Sequence, residues 1–389
     1  MAVQIFAVTA WNFRSIGTRF RPSLVAITGF FAVVLVFVAV LSIRAGFARV
    51  MSNSGSPYVA VVQGNSSNLD NNALSVIGQG PGVAHAAAGP LVAGVFLATA
   101  QIPLLESGTL GSVNMRGVPP NIGDVWTDFH VIKGRMFKTG VDEIIVGRQA
   151  ERMFPGLATG DTFDWNHHHW KVVGIFSKGG GARESEIWTD VNQLQSAYNS
   201  ANTYTSIYAR LTSPDAFPAF KKWVESNPQL NVTATREDVN WQQSAGFLDT
   251  PIALIGGLVT LLMAIGAIFG ARNIMYANVA SRMQDIATLR ALGFARLPIL
   301  VAVVLESVAM GLVGGIAASI AAYLIFNGYQ TSTNALNATN GAMVAFTFSV
   351  TPALIVTALI LAVVMGFIGG LFPAIRAARL PVAVALREV

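Results

Sequence analysis

No cysteine occurs in the 389 residues, which rules out disulfides, thiolate nucleophiles and sulfur-ligated metals. Charge is also scarce: Asp, Glu, Lys and Arg make up 12% of the chain, against ~25% in an ordinary soluble domain. The shortage is concentrated in places, and from Ser307 to Ile375 there is no charged residue at all. A Lys/Arg-dense stripe is missing, so nucleic acid is not expected as a partner. The Gly-x-x-x-x-Gly-Lys-Ser/Thr order of a phosphate loop, the Gly-x-Ser-x-Gly elbow and the His-Glu-x-x-His helix are absent too. The chain is therefore read as no enzyme, with no nucleotide, metal or other cofactor of its own.

What is present is a set of long apolar runs. Leu24 to Ile43 is free of charge, and ~20 residues at 1.5 Å each cross a hydrocarbon core of ~30 Å. Pro251 to Ala271, Leu297 to Phe326 (interrupted only by Glu306) and Val350 to Phe372 are the others. All four are read as transmembrane helices. A cleaved signal peptide is the rival reading of the first, but signal cores run to ~7–15 residues and end at a small-residue site, which Ser42-Ile43-Arg44 does not offer.

Orientation follows from basic residues in short loops, which favour the cytoplasmic side. The amino-terminal segment carries Arg14, Arg19 and Arg21, the 272–296 loop Arg272, Arg282, Arg290 and Arg296, and the 373–389 tail Arg376, Arg379 and Arg387. The 327–349 linker has none. Both termini and the 272–296 loop are thus expected inside, with residues 44–250 and the linker outside. Within residues 1–23, Val3, Phe6, Ala10 and Phe13 share one helical face, as in a helix lying in the headgroup layer.

Residues 44–250 have the composition of a soluble domain, holding 17 of the chain's 20 acidic residues. Strand-like runs recur at Tyr58–Val62, Val113–Val118, Glu143–Val146, Trp170–Phe176, Glu186–Thr189 and Thr203–Leu211. Helix-like stretches fall at Asn71–Ile77, Arg148–Phe154, Val191–Asn199 and Pro214–Asn227. A mixed α+β domain is expected, with an inner subdomain from about Leu104 to about Asp190. The fold class is an α-helical membrane protein with four transmembrane helices and this extracytoplasmic domain inserted between the first and second.

Several constellations have plainer readings beside the functional one. Neighbouring residues on a strand point to opposite faces, so His167-His168-His169 cannot all reach one ion there; with Asn166 before them they read as a hairpin turn. Lys178-Gly179-Gly180-Gly181 is only superficially like a phosphate loop. Glu306 lies within a span, where a carboxylate is costly and a functional suspect; a place near the interface or a hydrogen bond to a neighbouring helix is the structural alternative. Gly266/Gly270, Gly311/Gly315 and Gly366/Gly370 are small residues at four-residue spacing, which lets helices approach within or between subunits. In the 272–296 loop, Asn273 to Leu292 reads as a helix with Tyr276, Val279, Met283 and Ile286 on one stripe and Gly293 as terminator. That stripe needs lipid or a partner to cover it.

Ser281-Arg282-Met283-Gln284-Asp285-Ile286-Ala287-Thr288-Leu289-Arg290-Ala291-Leu292-Gly293 resembles the R-x-x-E-I-x-x-L-R-A-L-G segment of MacB/FtsX-type ABC permeases, with Asp285 for the usual Glu and Gln284 for a usual basic residue. Gly370-Leu371-Phe372-Pro373-Ala374-Ile375-Arg376-Ala377-Ala378-Arg379 is similar to the family's G-x-x-P-A-x-R-A-A tail. Gly134-Arg135-Met136-Phe137, Glu143 to Gly147, Gly160-Asp161-Thr162 and Val172 to Phe176 resemble its extracytoplasmic module. The resemblance implies a bacterial cytoplasmic-membrane permease without a fused ATPase. It would be a dimer with itself or a close paralogue, bound to two copies of a separate ATPase subunit that holds ATP and Mg. The loop helix would be the coupling element, and the outside domains would be moved mechanically. It also admits a periplasmic adaptor and an outer-membrane duct. Export of a lipid, lipoprotein, peptide or drug-like molecule is the first functional expectation. An FtsX-like regulatory permease, controlling a cell-wall hydrolase or sensing an antimicrobial, is the alternative.

Overall fold

The computed structural model describes residues 20–65, 68–87, 89–105, 110–281, 283–332 and 343–379. The expected amino-terminal surface helix, Arg282, the side chain of Asp285 and the tail beyond Arg379 lie outside the described residues.

In chain order, helix α1 (Phe20–Ser52) precedes β1 (Val59–Gly64), β2 (Leu69–Asp70), α2 (Asn71–Gly78), β3 (His85–Ala86), β4 (Gly89–Pro90) and β5 (Val92–Pro103). Next come β6 (Leu110–Val118), α3 (Ile122–Val125), β7 (Phe129–Gly134), β8 (Glu143–Gly147), α4 (Arg148–Met153), β9 (Thr162–Trp165) and β10 (His168–Lys178). A 3₁₀ turn (Ala182–Ser185) leads to β11 (Ile187–Asp190), α5 (Val191–Ala197), β12 (Thr203–Tyr204), β13 (Ser206–Arg210), α6 (Phe217–Glu225) and β14 (Val232–Arg236). Then follow α7 (Glu237–Ala280), α8 (Met283–Ala291), α9 (Arg296–Phe326), β15 (Gln330–Ser332), β16 (Ala345–Thr347) and α10 (Pro352–Arg379). The chain divides into two compact units. One holds Met1–Ala45, Asp249–Tyr329 and Phe348–Val389; the other holds Gly46–Leu248 and Gln330–Thr347.

Four helical segments are long and apolar enough to span a membrane: Leu24–Ser52, Ala253–Ala280, Arg296–Phe326 and Pro352–Arg379. The last starts two residues later than the apolar run, at a proline whose fixed φ and missing N–H suit the first helical position. Within this unit, a Cβ at Gly311 would lie 2.7 Å from the Ala362 carbonyl oxygen, and one at Gly366 would lie 2.9 Å from that of Ser307. Gly315 and Gly370 face the Cβ atoms of Ala362 and Ser307, at 2.8 Å and 2.6 Å. These two glycine pairs let α9 and α10 pack backbone to backbone. Gly266 and Gly270 differ, since no described atom lies within 4 Å of a Cβ placed there. Their face of α7 also carries exposed Leu258, Leu262, Ile265 and Phe269.

In the other unit a ten-stranded sheet runs in the order β14-β1-β13-β5-β6-β11-β8-β10-β7, with β9 added to β10. Strand β5 carries the sheet across its middle. Its first residues, Val92 to Val95, pair with β13, and Phe96 to Pro103 pair with β6. The expected inner segment, from about Leu104 to about Asp190, is thus joined to its flanks by one shared strand. Both faces of the sheet are covered: Ala60, Val62, Ile144 and Val146 enter one core, Val59, Val61 and Ile145 the other. This explains why these strands read as continuous apolar runs rather than alternating ones. Asp70 caps α2 by accepting from the Ala73 amide at 2.8 Å, and Asp190 caps α5 through the Asn192 amide.

The histidine triplet falls where the sequence reading put it. Asn166 (φ 50°) and His167 (φ 67°) form the turn between β9 and β10, and His168 pairs with Trp165. Positive φ at both loop positions matches the right-handed twist of a two-residue hairpin.

Candidate coupling site

The expected helix Asn273 to Leu292 is two helices, not one. Helix α7 continues to Ala280, and α8 begins at Met283. At the break, Ser281 donates its hydroxyl to the Asn278 carbonyl at 2.9 Å, a local bond that competes with continuing the helix. Tyr276 and Val279 therefore sit on α7, with Met283, Ile286, Leu289 and Arg290 on α8.

The break changes what the apolar stripe does. Val279 and Ile286 are both 6% exposed and belong to one buried cluster with Met275, Ile299, Val303, Ala374 and Ala377. Two of the four stripe residues, Val279 and Ile286, are covered by the chain's own helices and need neither lipid nor a partner, whereas Tyr276 and Met283 are half-buried. Among the described residues, those exposed on α8 and just after it are Gln284, Thr288, Ala291, Leu292 and Gly293, with Leu292 73% exposed. Gly293 ends the helix at φ 93°. Its amide donates to the Arg290 carbonyl and that of Phe294 to Leu289, both at 3.1 Å, the paired bonds of a Schellman cap. This cap holds Leu292 outward at a defined place.

The tail is brought to the same site. Arg272 and Arg376 lie 5.4 Å and 5.6 Å from the Tyr276 ring, and Arg272 also lies 5.2 Å from Phe372. Cations over aromatic faces attract by about 0.5–2 kcal/mol each, so Tyr276 joins the end of α7 to α10. Pro373 is buried within α10; among the sequence-predicted tail residues, Arg376 joins the cluster and Arg379 closes the described helix. Glu306 is buried within α9 at 3% exposure. It is not part of this cytoplasmic group.

Sequence reading missed a second group, on the outside domain. Arg116 holds Glu186 through two bonds of 2.6 Å, and Trp188 donates to the same carboxylate at 2.9 Å. Burial would raise the Glu186 pKa, but Arg116 beside it brings it below the usual carboxylate range. Burial likewise works against the Arg116 charge, and Glu186 more than restores it. Arg183 lies 4.1 Å from the Trp126 ring and near Tyr208 and Trp241. Its Nη2 is 2.6 Å from Glu237 Oε1; the pair is close but off the hydrogen-bond direction, so its attraction is Coulombic. Lys178, buried to 2% exposure, reaches Asp128 at 2.9 Å, and burial, with Arg183 nearby, pushes its ammonium pKa down. The signal was available in Lys178 to Glu186, where four charged residues stand among glycines and small residues.

Four spanning helices, a large outside α/β domain between the first and second, and a capped cytoplasmic helix between the second and third define a multi-pass membrane protein. The MacB-like periplasmic core domain matches residues 23–227, and the FtsX-like permease C-terminal domain matches residues 257–382. The chain belongs to the MacB/FtsX-type family of ABC transporter permeases. It is similar to YknZ of Bacillus subtilis (strain 168), an uncharacterized ABC transporter permease, with 24% identity over 218 residues, 53% of each chain. The chain thus spans about half the length of the curated relative it matches. Among solved structures, the periplasmic region of MacB from Actinobacillus actinomycetemcomitans is similar over 49% of this chain and 94% of that one, at TM-score 0.36 and 11% identity. The extracellular domain of YknZ, a noncanonic ABC-type transporter from Gram-positive bacteria, is similar over 46% of this chain and 98% of that one, at TM-score 0.35 and 15% identity.

Proposed function

We propose that this chain is the permease subunit of an ATP-driven, export-type transporter, in which a separate ATPase subunit acts on the cytoplasmic ends of the spans and moves the outside domain. The observation that carries the reading is the end of α8, where the Gly293 cap presents Leu292 on the segment that resembles the family's coupling motif. A buried stripe beneath it makes the segment firm enough to take a push, and Tyr276 passes that push to α10. ATP and Mg belong to the partner in this reading. Two copies of this chain would meet along α7, where Gly266 and Gly270 leave an uncovered apolar face.

An apolar groove of about 260 Å³ lies between α9 and α10, lined by Ile316, Ile320, Tyr323, Leu324, Ile355 and Leu359. Within a span, such a groove is matched by an acyl chain.

Affinity purification of the tagged chain from its native host tests the reading. It is expected to bring down a separately encoded ATPase, and L292D to lose that subunit while remaining inserted in the membrane. A chain recovered without any ATPase would end the proposal.

A further inference from the structure

Four consecutive residues of one 3₁₀ turn, none more than 2% exposed, face four different stretches of the outside domain. The Ala182 amide donates to Ser54 Oγ at 2.7 Å and Arg183 Nη1 donates to the Ser54 carbonyl at 3.0 Å. Ser54 lies just beyond α1. Arg183 Nη2 lies 2.6 Å from Glu237, the first residue of α7. The other Glu237 oxygen accepts from the Ser56 amide at 2.9 Å. Glu184 accepts from the amides of Lys178 and Gly180 and from Arg148 Nη2, at 2.8, 2.9 and 3.0 Å. Ser185 Oγ accepts from the amide of Ala345, the first residue of β16, at 2.9 Å.

Three stretches that adjoin spanning helices in the chain are therefore fastened to one turn: the residues after α1, the start of α7, and the linker strand before α10. Contact is backbone-close, since a Cβ at Gly181 would lie 2.8 Å from the Asn53 carbonyl oxygen and 2.9 Å from Ser54 Cα. The turn also runs directly into β11, which sits between β6 and β8 near the centre of the sheet. A buried polar group that loses its partner where water does not reach is left unsatisfied and bears its full desolvation cost. These stretches must move with the turn or break from it.

We propose that the Ala182–Ser185 turn is the junction that couples the outer ends of the spanning helices to the sheet, with Arg183 as its positioning residue. The proposal rests on the reading that the spans move the outside domain, and names where the movement is handed over.

The test is amide hydrogen exchange on the full chain in lipid nanodiscs, without an ATPase, so its failure is distinct from failure of the permease reading. S185A removes one hydroxyl that faces the linker. It is expected to speed exchange at 343–347 and also, by about five- to tenfold, at residues 53–56 and 237–241, the effect of one buried hydrogen bond lost through a shared junction. S54A, made from the opposite side, is expected to speed exchange at 343–347, because coupling between sites is reciprocal. A merely local role would confine each effect to its own contact. Exchange that changes only beside the substituted residue, or nowhere, in both variants would overturn the proposal.

Discussion

Arg183 Nη2 and Glu237 Oε1 lie 2.6 Å apart with their side chains 1% and 0% exposed. Removing one partner of such a pair leaves an uncompensated buried charge, which costs about 3–5 kcal/mol, whereas replacing both by apolar groups is often neutral. E237Q is therefore expected to lower the melting temperature of the detergent-solubilised chain, and R183M/E237M to recover most of the loss. Tryptophan fluorescence reads the transition, because Trp126 and Trp241 flank Arg183. A melting curve for E237Q that overlays the parent chain would refute the argument.

Acid should weaken the outside domain. Burial raises the Glu184 and Glu186 carboxyl pKa values, but Ser177 and two backbone amides around the first, and Arg116 beside the second, bring both below their ordinary value of 4.5. A carboxylate whose folded pKa is depressed gives stability that is complete above its unfolded pKa and is lost as pH falls through the folded one. Melting temperature is thus expected to hold level from neutral pH to about pH 5 and to decline below about pH 4. A rise in stability between pH 5 and pH 3 would contradict this.

Lys178 offers the opposite sign. Its ammonium is buried while its partner Asp128 is 44% exposed and can be rehydrated. K178M is expected to be neutral or to stabilise the domain by about 1–2 kcal/mol. Because the folded pKa of Lys178 lies below its ordinary 10.5, the parent should gain stability as pH rises toward that value, and K178M should lack this gain. Denaturant titrations at pH 7 and pH 10 decide it; marked destabilisation of K178M at both would show that the Lys178–Asp128 pair matters more than its desolvation.

The glycine pairs should separate into two classes. G311L and G366L place a side chain where backbone atoms already stand at 2.7 Å and 2.9 Å, so both are expected to abolish recovery of folded protein. G266L faces open space and should fold normally while weakening self-association along α7. Size-exclusion chromatography with light scattering distinguishes the outcomes. A G266L chain that associates as fully as the parent would rule out the proposed contact along α7.

Much of the architecture was legible from residue type alone. Charge-free runs revealed the four spans because hydrocarbon tolerates little else, and most strand-like runs recur within a few residues of β1, β6, β8, β10, β11 and β13. Strand β5 was passed over: Gly94, Ala98 and Ala100 give it a weak strand pattern, and its length comes from pairing with two partners in turn. The coupling segment was only half legible. Its periodicity marked the stripe, but nothing local showed that Ser281 would break the helix and leave Ile286 against the chain's own core. The charged residues from Lys178 to Glu186 could be seen in the sequence, but the partners that Arg183 and its neighbours meet could not, because Ser54, Glu237 and Ala345 are far apart and share no motif.

The double pairing of β5 also limits how the outside domain can grip anything. A clamshell opening between its two halves would have to bend or unzip a strand that belongs to both, so the module cannot close upon itself. Anything gripped between two surfaces therefore cannot be held by the two halves of this sheet hinging together.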